Sequence, residues 1–155
     1  MLSTVVGVIL TGMLYVNPRI ALSDYPADVR AAVPPRTRKE LQLGILIAVP
    51  LLLIFVAVPL YSVWQVKQQL GGTLTYATAF TTLFGEFFLV SMYDLVVLDL
   101  WMFYSWTPKF LVLPGTEGMA DCKDYRPHLK VQLTKGTLLL AILAAVLALV
   151  PVYLY

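Results

Sequence analysis

This sequence has one cysteine, Cys122, and one histidine, His128. A lone cysteine excludes an intrachain disulfide. The same scarcity excludes a histidine-box metalloenzyme and a dense Cys/His zinc site. Charge is scarce too. Charged residues make up 13% of the 155, against 59% hydrophobic, where an average soluble domain has roughly 25% charged and about 45–50% apolar. A soluble chain of this size has too little interior to hide that much apolar surface, so lipid must cover it. The net charge of +2 implies no acidic partner, and no nucleic acid is expected. There is no internal repeat and no low-complexity tract.

What the chain does have is long apolar runs. A spanning helix needs about 20 mainly apolar residues. Four stretches meet or approach that length, at roughly 2–17, 41–66, 74–106 and 136–155. They predict an all-α, polytopic membrane protein, a single domain over 1–155 with four transmembrane helices. No Lys or Arg precedes Leu2, and Asn17-Pro18-Arg19 reads as a helix end, so the first stretch is expected to be a retained helix and not a cleaved signal. The second carries Pro50 and Pro59, each of which frees a backbone carbonyl that a neighbour must satisfy.

The connections 18–40 and 107–135 hold every basic residue except Lys67. Four crossings put both on one side. The positive-inside rule makes them cytoplasmic and sends both termini outside, as in a multi-pass protein of the cell membrane. Trp64, Trp101, Tyr104, Trp106, Tyr153 and Tyr155 mark the segment ends, as rings at headgroup level do. In the first connection a short helix is expected, capped by Asp24, with Pro26 in its first turn and Pro34-Pro35 as its stop. Tyr25, Val29 and Ala32 share one face, suited to the membrane interface. Pro127 starts a helix that runs through Lys135 into the fourth segment. Gly7, Thr11, Ala141, Ala144, Ala145 and Ala148 allow close helix approach.

The third segment carries three acids, Glu86, Asp94 and Asp99. Glu86 lies near mid-membrane and Asp94 roughly 12 Å nearer the cytoplasm. At about 100° per residue, Thr75, Ala79, Thr82, Glu86 and Tyr93 form a polar seam. Asp94 lies roughly 80° off it and Asp99 further round. A charged carboxylate at such depth costs at least about 2.5–3.5 kcal/mol, and no Lys or Arg lies in a span to pair with it. Glu86 is therefore neutral through desolvation, or meets a proton, a cation, a cationic substrate or a partner subunit.

The second connection gathers Lys109, Glu117, Lys123, Arg126, His128 and Lys130. Its basic residues suit anionic headgroups. They also suit a gate over Asp94 and Asp99, or an interfacial lipid site with Glu117 or His128 as base. Gly115-x-x-Gly118 lacks the lysine pattern of a phosphate loop. Asp121, Cys122, Asp124 and His128 match no standard ligand spacing, so no metal and no cofactor are expected.

The runs Asp94-Leu95-Val96-Val97-Leu98-Asp99, Trp106-Thr107-Pro108-Lys109-Phe110, Pro114-Gly115-Thr116-Glu117-Gly118-Met119 and Lys123-Asp124-Tyr125 resemble an uncharacterised group of small bacterial four-helix membrane proteins. The resemblance implies a bacterial membrane protein and supplies no activity. The leading expectation from the residues is a proton- or cation-coupled transporter or channel-like protein using Glu86, Asp94 and Asp99. The alternatives are a lipid-binding or lipid-modifying protein at the cytoplasmic face, or an accessory subunit. Membrane lipids, a homo-oligomer or a larger membrane complex are the partners expected. No catalytic motif is present to name catalytic residues.

Overall fold

Thr37 starts the longest helix. Its hydroxyl accepts from the Glu40 amide at 3.3 Å, and its own amide donates to Glu40 Oε2 at 2.7 Å, a reciprocal cap that satisfies two otherwise orphaned donors. The computed structural model describes residues 2–119 and 126–154. Tyr104, Cys122 and Lys123 carry expectations from the sequence that fall, in whole or in their side chains, outside what is described. So do Asp121, Asp124, Tyr125, Tyr155 and the His128 side chain.

Helix α1 is Leu2–Val16, followed by a 3-10 turn at Pro18–Asp24 that folds back by 111°. Helix α2 is the short Ala27–Ala32. Helix α3, Arg38–Gln69, runs on through both prolines. It ends at Gly71 and Gly72, whose φ angles of 72° and 91° let the chain reverse. Helix α4, Tyr76–Tyr93, is capped by Thr75 and continues unbroken into a π-helical stretch at Asp94–Trp106. Helix α5, Arg126–Val131, passes through a π-helical Gln132–Gly136 into α6, Thr137–Leu147. Helix α7, Leu149–Tyr153, follows. No strand occurs among the described residues.

The main core lies where α4 meets α3 and α6. Ala79, Leu83 and Phe87, one helical turn apart, are fully buried against Val63, Ala144 and Ala148. Alanines at a four-residue spacing let the backbones of α4 and α6 approach closely. Phe55 stacks on Phe87 at 4.8 Å between ring centres. A second cluster joins α1 to the π-helical stretch through Leu14, Leu98, Met102 and Leu111.

The two basic connections fold together. Leu22, Tyr25, Val29 and Val33 bury against Leu113, and the Tyr25 hydroxyl donates to the Leu111 carbonyl at 2.8 Å. This corrects the expected interfacial face of α2. Tyr25 and Val29 point into protein, and Ala32 is exposed, because the second connection supplies the apolar partner that lipid was expected to be. Nor does Asp24 cap α2. Pro26 precedes its first residue and gives no side-chain cap. Asp24 ends the 3-10 turn, where Ser23 donates to it at 3.3 Å.

Helices Arg38–Gln69 and Leu129–Tyr153 are long and apolar enough to cross a membrane, and α1 with its bent 3-10 turn makes at most a third. Large apolar side chains face outward along α3 and α6, among them Ile45, Leu46, Leu53, Leu138 and Val146. Such faces suit hydrocarbon surroundings.

Gly7 is where α1 touches Tyr93. A Cβ there would sit 2.6 Å from the Tyr93 ring, closer than atoms pack without displacement. Gly7→Ala is therefore expected to lose about 1–3 kcal/mol, read as a lower thermal midpoint in detergent. Adding Tyr93→Ala should recover part of that loss; equal destabilisation with and without the ring would remove the clash as its cause.

Candidate functional site

Two adjoining hollows lie between the helices. The larger, about 550 Å³, is an apolar cleft to which α1, α3, α4 and the 132–140 segment all contribute. Its walls include Val6 and Leu10 from α1, Leu51 and Phe55 from α3, and Leu140 from α6. Leu52 and Leu139 also line it and are 60% and 66% exposed. The cleft thus opens sideways on the outward faces of the two longest apolar helices. Its polar end is made by Ser91, Asp94 and Gln132.

The smaller hollow, about 270 Å³, lies beyond that end. It shares Leu10, Asp94 and Gln132 with the cleft and adds Asp24, Asp99 and Ala21. Asp24 and Ala21 belong to the 3-10 turn, so this hollow reaches the layer formed by the two connections. One hollow is greasy and open sideways. Its neighbour sets Asp24, Asp94 and Asp99 among the apolar Met13, Leu14 and Leu98, and meets the first connection at Ala21 and Asp24.

Helix winding explains how Asp94 and Asp99 reach the same hollow. On an α-helix, residues five apart point in different directions. The backbone from Asp94 onward is π-helical, so each residue bonds to the one five along and positions five apart lie nearly above one another. The third acid therefore does not lie further round the helix, as regular α winding predicted. The same local winding recurs across the gap at Gln132–Gly136.

The narrow waist between the hollows is bridged. Gln132 Nε2 donates to Ser91 Oγ at 2.7 Å. Ser91 is buried. Gly136 makes room for this bridge, since a Cβ there would lie 3.1 Å from Gln132 Oε1. Ser91, Gln132 and Gly136 were not legible as site residues. The signal they offer is a neutral polar side chain in an apolar helix, which is weaker than that of a carboxylate.

The seam predicted on α4 is shared among different neighbours. Thr75 is exposed and caps its own helix. Thr82 Oγ1 donates back to the Thr78 carbonyl at 2.8 Å. Glu86 has the Ser62 side chain of α3 as a polar neighbour and lines neither hollow. Tyr93 faces α1 and lines a third cavity of about 460 Å³, with Tyr15, Trp101, Trp106 and Phe110 among its aromatic walls.

Glu117 Oε2 accepts from the Gly115 amide at 3.0 Å and so ties its own turn. Lys109, Arg126 and Lys130 are exposed, the last two one turn apart on α5. Among the described residues no group of three His, Cys, Asp or Glu side chains is arranged to hold a metal ion.

The loop cover is tied down by one ion pair. Arg19 Nε donates to Glu40 Oε1 at 2.7 Å, and its Nη2 reaches the carbonyls of Pro34 and Pro35 at 3.0 and 3.2 Å. Arg36 Nη1 donates to the Ile20 carbonyl at 2.8 Å. The Thr37 amide, then the Arg19 guanidinium, hold the Glu40 carboxyl down at about 2.

No family model matches this chain, and neither the curated proteins nor the solved structures offer a match.

A depressed carboxyl stabilises the fold most when ionised. The Glu40 contribution is complete above the ordinary carboxyl value of 4.5 and is lost as pH falls from there through about 2. The thermal midpoint of the wild type is thus expected to fall more steeply between pH 5 and pH 3 than that of Glu40→Gln. Parallel curves would show that the pair contributes nothing to stability.

Proposed function

We propose that this chain is a lipid-binding integral membrane protein that holds an acyl chain in the apolar cleft, with the lipid's polar head in the smaller hollow beneath the loop cover. One observation carries the reading: an apolar cleft open toward outward-facing leucines adjoins, through three shared residues, a smaller hollow that bears three carboxylates. An amphiphile has that same division of character. The cleft volume falls in the range of small-molecule sites, about 300–1,000 Å³. Because the mouth lies on α3 and α6, hydrocarbon chains are the molecules present at highest concentration beside it.

The test is to purify the protein in detergent, extract it, and identify retained lipid by mass spectrometry. Wild-type protein is expected to carry lipid near one per chain. Ala48 lines the cleft, and Ala48→Trp should fill it and cut retained lipid at least about fivefold while the protein remains folded, as one lost apolar chain contact of a few kcal/mol demands. Equal lipid in both proteins would overturn the reading.

The membrane arrangement that goes with it has four spans, at α1, α3, the Tyr76–Trp106 helix and the Leu129–Tyr153 helix. Both termini face outside, and the basic connections face the cytoplasm of a bacterial cell membrane, in keeping with the resemblance to small bacterial membrane proteins. Support comes from the mutual burial of the two connections through Tyr25, Leu111 and Leu113, since segments that pack on each other share a side. Reporter fusions after Pro35 and after Thr116 should both read cytoplasmic, and one after Gly72 should read external. Opposite readings at the first two sites would refute the arrangement.

Transport through Glu86 is the competing reading. It needs that carboxyl on a path for water or ions, whereas Glu86 neighbours Ser62 and is not among the lining of the three cavities described. The lipid reading uses Asp94 and Asp99 without asking anything of Glu86.

A further inference from the structure

We infer that Gln132 and Ser91 read the linkage of the bound lipid, so that the cleft selects an acyl ester or amide over a plain alkyl chain. The inference rests on the cleft reading above and adds the chemistry at its waist. In an ester- or amide-linked lipid, the point where the hydrocarbon tail gives way to the polar head is that bond. In this protein, the corresponding boundary is where the two hollows share Leu10, Asp94 and Gln132, and there, beside Asp94, the Gln132 side chain meets Ser91 of the cleft. Gln132 Nε2 donates to Ser91 Oγ at 2.7 Å. Ser91 is buried on α4, and Gln132 stands on the π-helical turn that leads into α6.

A primary amide carries two N–H donors. Ser91 takes one, which fixes the plane of the amide and leaves the other for an acceptor in the waist. The acceptor that a tail–head boundary supplies is an acyl carbonyl. An ether-linked chain of the same length offers none, and its entry would forgo that hydrogen bond at the polar end of the cleft. Gly136 is part of the device. Its missing side chain lets the Gln132 amide lie where a Cβ would stand 3.1 Å from Oε1 and 3.3 Å from Cδ. Neither Gln132 nor Ser91 belongs to the acids or the basic loop residues, so the recognition proposed is independent of charge.

The test uses the full chain in detergent micelles, incubated with equimolar 1-acyl lysolipid and its 1-alkyl ether analogue of the same chain length and headgroup, and read by intact-protein mass spectrometry. Wild-type protein is expected to favour the ester about fivefold, the effect of one net hydrogen bond. Gln132→Leu, close in volume and still apolar in packing, should bind both lipids at a ratio near one. Gly136→Ala keeps both polar groups but crowds the amide, and should lower the preference while total binding stays. Equal binding of ester and ether by the wild type overturns the inference and leaves the cleft reading standing, as does a fivefold preference that survives in Gln132→Leu. Failure of the wild type to bind either lipid overturns both.

Discussion

The packing of α4 between α3 and α6 is the contact on which the rest of this structure depends. Ala79, Leu83 and Phe87 leave no exposed surface, and they fix the rotation of a helix that continues without a break to Trp106. That rotation decides which way Ser91, Asp94 and Asp99 point. It also presents Tyr93 to Gly7 and so sets the seat of α1. Small residues do much of this work. Ala79, Ala144 and Ala148 gain little from being apolar in an apolar solvent, but they let backbones approach, and contact at close range is what holds helices together in lipid.

A change of helical winding turns that packed helix into one wall of a site. Beyond Tyr93 each turn takes in more residues, and two carboxylates five apart come to one hollow. Wide turns of this kind occur mostly as local features, frequently at functional positions. Here there are two such stretches, at Asp94–Trp106 and Gln132–Gly136; Asp94 of one and Gln132 of the other line the same hollows, and Gln132 bonds Ser91. The result is a cleft with a greasy mouth and a polar end.

The loop cover is a small folded layer in its own right. A buried tyrosine hydroxyl bonded to a backbone carbonyl, an aliphatic cluster around Leu113 and the Arg19–Glu40 pair hold it together. Its apolar side chains are used up against one another, which leaves Arg30, Arg38, Lys39 and Lys109 on the outside. A layer so arranged presents charge outward and brings Asp24 and Ala21 to the polar hollow.

By itself the sequence determined the helical class of this fold and that it holds helices apolar enough to cross a membrane. Runs such as Leu41 to Val66 are too apolar for water, and a chain in lipid must satisfy its backbone within helices. It marked Glu86, Asp94 and Asp99 alike, because an ionisable residue in such a run stands out against its neighbours. It left Ser91, Gln132 and Gly136 unmarked, because a neutral polar residue or a glycine is ordinary in a membrane helix. Tertiary structure alone decided that Glu86 turns to Ser62 while Asp94 and Asp99 share a hollow, and that the apolar face of α2 turns to protein. The physical reason is that these outcomes depend on local winding and on which distant segment arrives as partner. A periodicity counted along one helix assumes regular turns and contains no information about what packs across the gap.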